Sequence, residues 1–111
     1  MTKAKLNLPE LSFRALNELP VAILWFDKNG DFFEVNDQAC KGWAYTREEF
    51  LQMSVFDVNP NMSRDIWAQH WADKQADSST FESSHRRKNG EIFPVDITDN
   101  FVTLNGEVYR C

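Results

Sequence analysis

Two cysteines, Cys40 and Cys111, are all that this 111-residue chain carries, too few for a disulfide framework or a thiolate metal site, and both read as free thiols. Long apolar runs are also missing. The longest, Val21 to Phe26, is far short of the ~20 residues that a bilayer crossing needs, and the N-terminus has no signal-like apolar stretch. A soluble, cytoplasmic chain with no membrane insertion is the expectation. Positive charge is in deficit: 12 Lys and Arg against 17 Asp and Glu leave a formal net charge of -5. That argues against nucleic acid as a partner, because phosphate binding needs clustered cations. The basic run His85-Arg86-Arg87-Lys88 is short, lies beside a turn and reads as a solvated strand end. No nucleophile elbow, phosphate loop or Cys/His metal spacing is present, so neither catalytic residues nor metal ligands are expected, and Glu48-Glu49 reads as solvated charge on a capped helix. Glycine is scarce too, and three of the four glycines directly follow an asparagine.

What is present suits one domain. With 42% hydrophobic and 14% aromatic residues, a compact fold of this length buries roughly 65% of the surface its unfolded chain would expose. Leu11, Ala15 and Leu19 recur every fourth residue with Phe13 and Leu16 alongside, which predicts a short amphipathic helix from Pro9 to Leu19, ended by Pro20. Residues 1–19 therefore form a flanking segment and residues 20–111 the domain. Val21 to Phe26, apolar throughout, predicts a strand covered on both faces. Asn29-Gly30 turns the chain into a returning strand, Phe32 to Val35. A two-residue turn closed by Lys28 and Asp31 would set Phe26 opposite Phe33 and Leu24 opposite Val35. Short helices follow, with Asn36 capping a turn to Lys41 and Thr46-Arg47-Glu48-Glu49 forming a capping box. A longer helix is predicted from Ser63 to Ala76, with Ile66, Trp67, His70, Trp71 and Lys74 along one stripe.

The remainder reads as three strands: Thr80 to Arg87, Glu91 to Thr103 and Glu107 to Cys111. Two strands, helices, then three strands is an α+β pattern with an antiparallel sheet. A three-residue loop at Lys88-Asn89-Gly90 pairs His85 with Phe93 and Phe81 with Ile97. A matching loop at Leu104-Asn105-Gly106 sets Phe101 opposite Tyr109. Both loops predict positive φ at their glycines. Pro94 has no N–H to give a ladder, so it must sit where none is needed.

The ordered set DKNGDFFEVND, GWAYTREEF and FESSHRRKNGEIFPVDI, running from Asp27 and Gly30 through Asn36 to Arg87, Gly90, Phe93 and Pro94, resembles the PAS sensory domain family from about Leu19 to Cys111. The resemblance implies a five-stranded antiparallel sheet in the order 2-1-5-4-3, with short helices and one longer helix on one face and small molecules held between. It also implies a role in sensing a signal and passing it to an output domain outside the chain. Family members usually extend the fifth strand into an Asp-x-Thr junction, so the last strand here reads as cut short and the chain as a fragment. Asp96-Ile97-Thr98 imitates that junction from inside the fourth strand and reads as coincidence.

Strand parity puts Phe93, Val95, Ile97 and Phe101 on the core face together with Asp99, and Phe81, Ser83 and His85 on the matching face of the neighbour. Asp99 and His85 are then polar residues on an apolar wall, each needing a protein partner, a water or a ligand. Leu24, Phe26, Ile66, His70, Phe81, His85, Val95, Ile97 and Asp99 are the pocket candidates. His70 raises haem as an alternative cofactor, because haem-binding members take a proximal histidine from the long helix, though the alignment with that position is poor. A flavin photoreceptor would need a cysteine in an Asn-Cys-Arg-type motif, and Ser54 to Pro60 offers none. Two functions follow. One is a ligand-sensing module, ligand unknown, relaying to a histidine kinase, a cyclic dinucleotide synthase or a transcription regulator. The other is a ligand-free interaction module with a filled core that forms a homodimer through the N-terminal helix (Leu11, Phe13, Leu16) and the outer sheet face (Val21, Ile23, Trp25).

Overall fold

The computed structural model describes residues 15, 17–72 and 79–111. Leu11, Phe13 and Leu16 lie outside them. The chain runs β1 (Leu24–Phe26), β2 (Phe32–Val35), α1 (Asp37–Trp43), α2 (Arg47–Phe50), α3 (Val55–Val58), α4 (Arg64–Ala72), β3 (Ser79–Arg86), β4 (Ile92–Asp99), β5 (Phe101–Leu104) and β6 (Glu107–Arg110). All pairings are antiparallel, in a four-stranded sheet β2-β1-β6-β5 and a two-stranded sheet β3-β4. Since β4 and β5 are one extended run broken at Asn100, the chain order of the expected five strands is kept, with the fourth strand shared between two sheets.

β1 is shorter than its apolar sequence predicts, and Asn36 is the reason. Its side-chain oxygen accepts from the N–H of Ile23 at 2.9 Å and from that of Ala39 at 3.0 Å, while its amide donates to the Val21 carbonyl at 2.8 Å. One buried amide thus caps α1 and occupies backbone groups at residues 21–23 that would otherwise have joined a ladder. α2 has the expected capping box of Thr46 and Glu49. At α3, Asp57 takes the Ser54 N–H at 2.9 Å.

The first hairpin differs from the expectation by one residue. Asp27 N–H bonds Asp31 O and Gly30 N–H bonds Asp27 O, which makes Lys28-Asn29-Gly30 a three-residue loop with Gly30 at φ 86°. Leu24 still faces Val35, but Phe26 faces Phe32, not Phe33. The ladder shifts between Trp25 and Phe26, leaving Phe33 as the extra residue of a bulge. This reversal of parity puts both Phe32 and Val35 in the core, 4% exposed each, and turns Phe33 out at 46%. Phe32 then meets Phe26 and Phe50 at ring-centroid distances of 4.6 and 4.9 Å, in a core that includes Ala39, Trp43 and Val58.

The hairpin at Arg87 repeats the same hydrogen-bond pattern, with Gly90 at φ 90°, and the expected pairs His85–Phe93 and Phe81–Ile97 are present. Pro94 lies opposite Ser84. Counting by twos from the hydrogen-bonded pair of Arg87 and Glu91, this is a position whose N–H would point away from β3. Among the described residues, β4 has no partner on that other side. The third turn departs from expectation. Leu104 pairs with Glu107 across a two-residue loop in which Asn105 and Gly106 both have positive φ, 51° and 81°. That is the primed turn that Asn-Gly favours, and it sets Phe101 opposite Arg110, not Tyr109.

Gly30 and Gly90 share one backbone conformation in different surroundings. A Cβ at Gly30 would lie 3.0 Å from Val55 and 3.1 Å from Phe56, whereas at Gly90 it would meet open space. Gly90→Ala is expected to cost about 1 kcal/mol, for the left-handed backbone alone. Gly30→Ala is expected to cost a further 1–3 kcal/mol or so from overpacking. Urea denaturation of the two variants measures the difference directly, and equal losses would contradict the role given to the Val55–Phe56 contact.

Candidate functional site

Between the sheets and the helices lies a cavity of about 400 Å³. Leu24 and Phe26 of β1 form one wall, Phe81 and His85 of β3 another, and Val95, Ile97 and Asp99 of β4 a third. The helical side supplies Trp43, Val55, Met62 and Trp67, with Asn59 after α3. Arg110 and Cys111 close the end at β6, and residues 21–23 border the space. Size and lining are those of a small-molecule site: mostly apolar, with a few convergent polar groups.

Seven of the nine pocket candidates line this space, and two do not. Ile66 is 43% exposed, because the inward position of α4 belongs to Trp67, 4% exposed, whose indole N–H donates to the Lys28 carbonyl at 2.9 Å. His70 stands off the cavity wall and accepts from Arg110 Nη1 through its Nδ1 at 3.2 Å. The residue that a haem reading needs is therefore not among those bordering the space that a haem would fill. Val21 and Ile23, expected on an outer strand face, instead precede the strand and border the cavity, Val21 being 55% exposed. Trp25 lies on β1 opposite Glu34 and is half-buried.

Both polar residues on the inner face are buried, His85 at 6% exposure and Asp99 at 9%. Asp99 takes the Nε–H of Arg110 at 2.7 Å and also bonds its Nη2. Arg110 lies 5.0 Å from the Trp67 ring centroid. It is one of the site residues that sequence reasoning missed. The expected three-residue loop at 104–106 sets Phe101 opposite Tyr109, whereas the two-residue turn sets it opposite Arg110. Trp43 was missed as well, although Ala39 and Trp43 are four apart on α1 and both buried.

Trp43 Nε1–H donates to His85 Nδ1 at 3.2 Å, and burial pushes the His85 pKa down to about 4. Arg87, in the run read as a solvated strand end, bonds the Gly42 carbonyl and stacks on Phe93 at 3.7 Å. Lys88 N–H bonds the Trp43 carbonyl at 3.0 Å, and its ammonium lies 2.6 Å from Glu49. These contacts fasten the β3–β4 hairpin to α1 and α2 and hold His85 against Trp43. Burial raises the thiol pKa of Cys111 and, together with Asp37 and Glu48, that of Cys40. Among the described residues no group of three metal-binding side chains occurs, and no helix is long and apolar enough to cross a membrane.

Because the folded protein disfavours protonated His85, the unfolded chain binds the extra proton between about pH 6.5 and 4. The stability contributed by the neutral ring is complete above pH 6.5 and is lost as pH falls to about 4, by on the order of 3 kcal/mol. Subtracting the urea-denaturation profile of His85→Asn from that of the unsubstituted chain isolates this loss. A pH-independent difference would show that His85 is not held neutral.

The sequence profile of the PAS domain matches residues 20–111. Among solved structures, a PAS domain from a two-component sensor histidine kinase superposes with a TM-score of 0.80 at 25% identity, covering 93% of this chain and 90% of its own. The PAS domain of an HTR-like protein from Haloarcula marismortui gives 0.83 at 20% identity, covering 93% and 91%. A domain of a sensory box sensor histidine kinase/response regulator from Geobacter sulfurreducens gives 0.74 at 22% identity, covering 92% and 90%. No curated protein matches the sequence. The profile match over residues 20–111, on a fold with this sheet and this cavity, makes the chain a member of the PAS domain family of signalling sensor modules.

Proposed function

We propose that this domain senses a small molecule held in the cavity and relays its presence to an output domain elsewhere in the protein, a histidine kinase, a cyclic dinucleotide synthase or a transcription regulator, on the cytoplasmic side. The observation that carries this reading is the 400 Å³ space itself, left open among aromatic side chains that had every means of filling it. Relay follows from Arg110. It borders the cavity and bonds both β4 and α4, so a ligand that shifts either element moves the end of β6. No catalytic role is proposed.

A second reading, association of two copies through the outer sheet face, draws on one observation. The bulge turns Phe33 outward, where its ring stacks on Tyr109 at 4.4 Å and remains 46% exposed. Such an aromatic pair, with Trp25 on the paired strand β1 opposite Glu34, suits a self-complementary contact between copies.

Native mass spectrometry of the protein as purified, followed by thermal-shift screening after it has been stripped by refolding, tests the first reading. A bound species, or a compound raising the melting temperature in proportion to the logarithm of its concentration, is the expected result. A bare mass together with no stabilising compound would count against sensing by this cavity.

A further inference from the structure

Two residues that border the cavity each carry a side-chain group with no hydrogen-bond partner among the described residues, and both groups are donors. The indole N–H of Trp43 can only donate, so His85 Nδ1, 3.2 Å away, is the accepting nitrogen and the neutral ring carries its proton on Nε2. No further hydrogen bond reaches the His85 ring from the described residues. Asn59, 6% exposed, uses its side-chain oxygen to take the Asn61 N–H at 3.0 Å, which fixes the amide's orientation and leaves the Nδ2 hydrogens. Yet among the described residues no fully enclosed side-chain nitrogen or oxygen lacks a partner. His85 Nε2 and Asn59 Nδ2 must therefore reach open space, and the space that both residues border is the cavity.

Charge narrows the choice further. Arg110 is the cation on the wall among the described residues, and Asp99 already accepts from its Nε and Nη2. Asp96, also on β4, is solvent-exposed and of opposite parity to Val95, Ile97 and Asp99. A carboxylate ligand would add a second negative charge beside one guanidinium that Asp99 already engages, in a setting where an unpaired charge is costly.

We infer that the ligand, on the reading of this cavity as a sensing site, is a neutral and mainly apolar molecule bearing one or two acceptor oxygens, of the ketone, ester or lactone class, that take the Nε2–H of His85 and the Nδ2–H of Asn59. Trp43 is then a positioning residue. It sets the tautomer that makes His85 a donor and does not itself bond the ligand's oxygen.

Three probes of matched shape separate the terms: 4-phenyl-2-butanone, butylbenzene and 3-phenylpropanoate, each titrated while the indole N–H resonances of Trp43 and Trp67 are followed by NMR. The ketone is expected to bind about tenfold more tightly than the hydrocarbon, the worth of one hydrogen bond, and the carboxylate more weakly than either. His85→Phe is expected to abolish the ketone's advantage and keep the hydrocarbon's affinity. In the unsubstituted chain, where folding is not in question, the His85 Nε2 resonance should move with the ketone and not with butylbenzene. A hydrocarbon that binds as well as the ketone, or a carboxylate that binds best, overturns the ligand class while leaving the cavity a binding site. Silence of both indoles toward all three probes would overturn the sensing reading as well.

Discussion

The buried ion pair of Asp99 and Arg110 spans the seam of this sheet. β4 and β5 are one extended run, but on the β5 side of Asn100 the run pairs with β6 and on the β4 side it pairs with β3. The run changes partner there, and the cavity is lined from both sheets. Arg110 sits opposite Phe26 on one flank and Phe101 on the other, which directs its guanidinium inward to Asp99 and His70. A buried charge pair is costly to desolvate and is tolerated only where hydrogen bonds satisfy it. Here two bonds to one carboxylate, one to an imidazole and the face of Trp67 provide that. The last strand, the long helix and the fourth strand therefore meet at a point on the cavity wall.

That arrangement explains how a chain rich in large side chains keeps an interior space. Phe32, Phe50, Val58 and Trp43 fill the region under β1 and β2 closely, and the bulge at Phe33 supplies the parity they need. Toward β3 and β4 the ladder is interrupted. The hairpin tip is tied back to α1 and α2 by Arg87 and Lys88, so the hairpin holds its position across the gap without collapsing into it. Packing on one side and tethering on the other are different physical devices, and the cavity lies at their boundary.

Much of this was legible in the residues. The capping side chains of Asn36 and Thr46, the register of β3 on β4 and the inward parity of His85 and Asp99 all follow from local rules that the structure obeys. The misses in strand register have one origin. An Asn-Gly pair announces a hairpin but leaves its loop length open, and the three pairs resolve differently: three residues at Lys28 and Lys88, two at Asn105. At the first, Asp27 accepts the N–H groups of Asn29 and Asp31 and stabilises the longer loop, and a bulge then restores the register. At the third, Asn105 itself takes positive φ. One residue of loop length decides whether Phe26 faces Phe33 or Phe32 and whether Phe101 faces Tyr109 or Arg110, so both expected pairs are off by one residue. Ile66 and Trp67, adjacent on α4, differ by a helical rotation that a stripe of large apolar residues does not resolve.

On the proposed function, the space between the sheets and α4 is an accessible binding cavity and not a filled core. Xenon enters apolar cavities without needing a hydrogen bond, so it tests the space apart from any ligand chemistry. On protein refolded from denaturant to remove co-purified molecules, xenon pressure is predicted to shift the indole resonances of Trp43 and Trp67, which border the cavity, and to leave those of Trp25 and Trp71 in place. Four unmoved indoles, or a response at Trp25 alone, would contradict it.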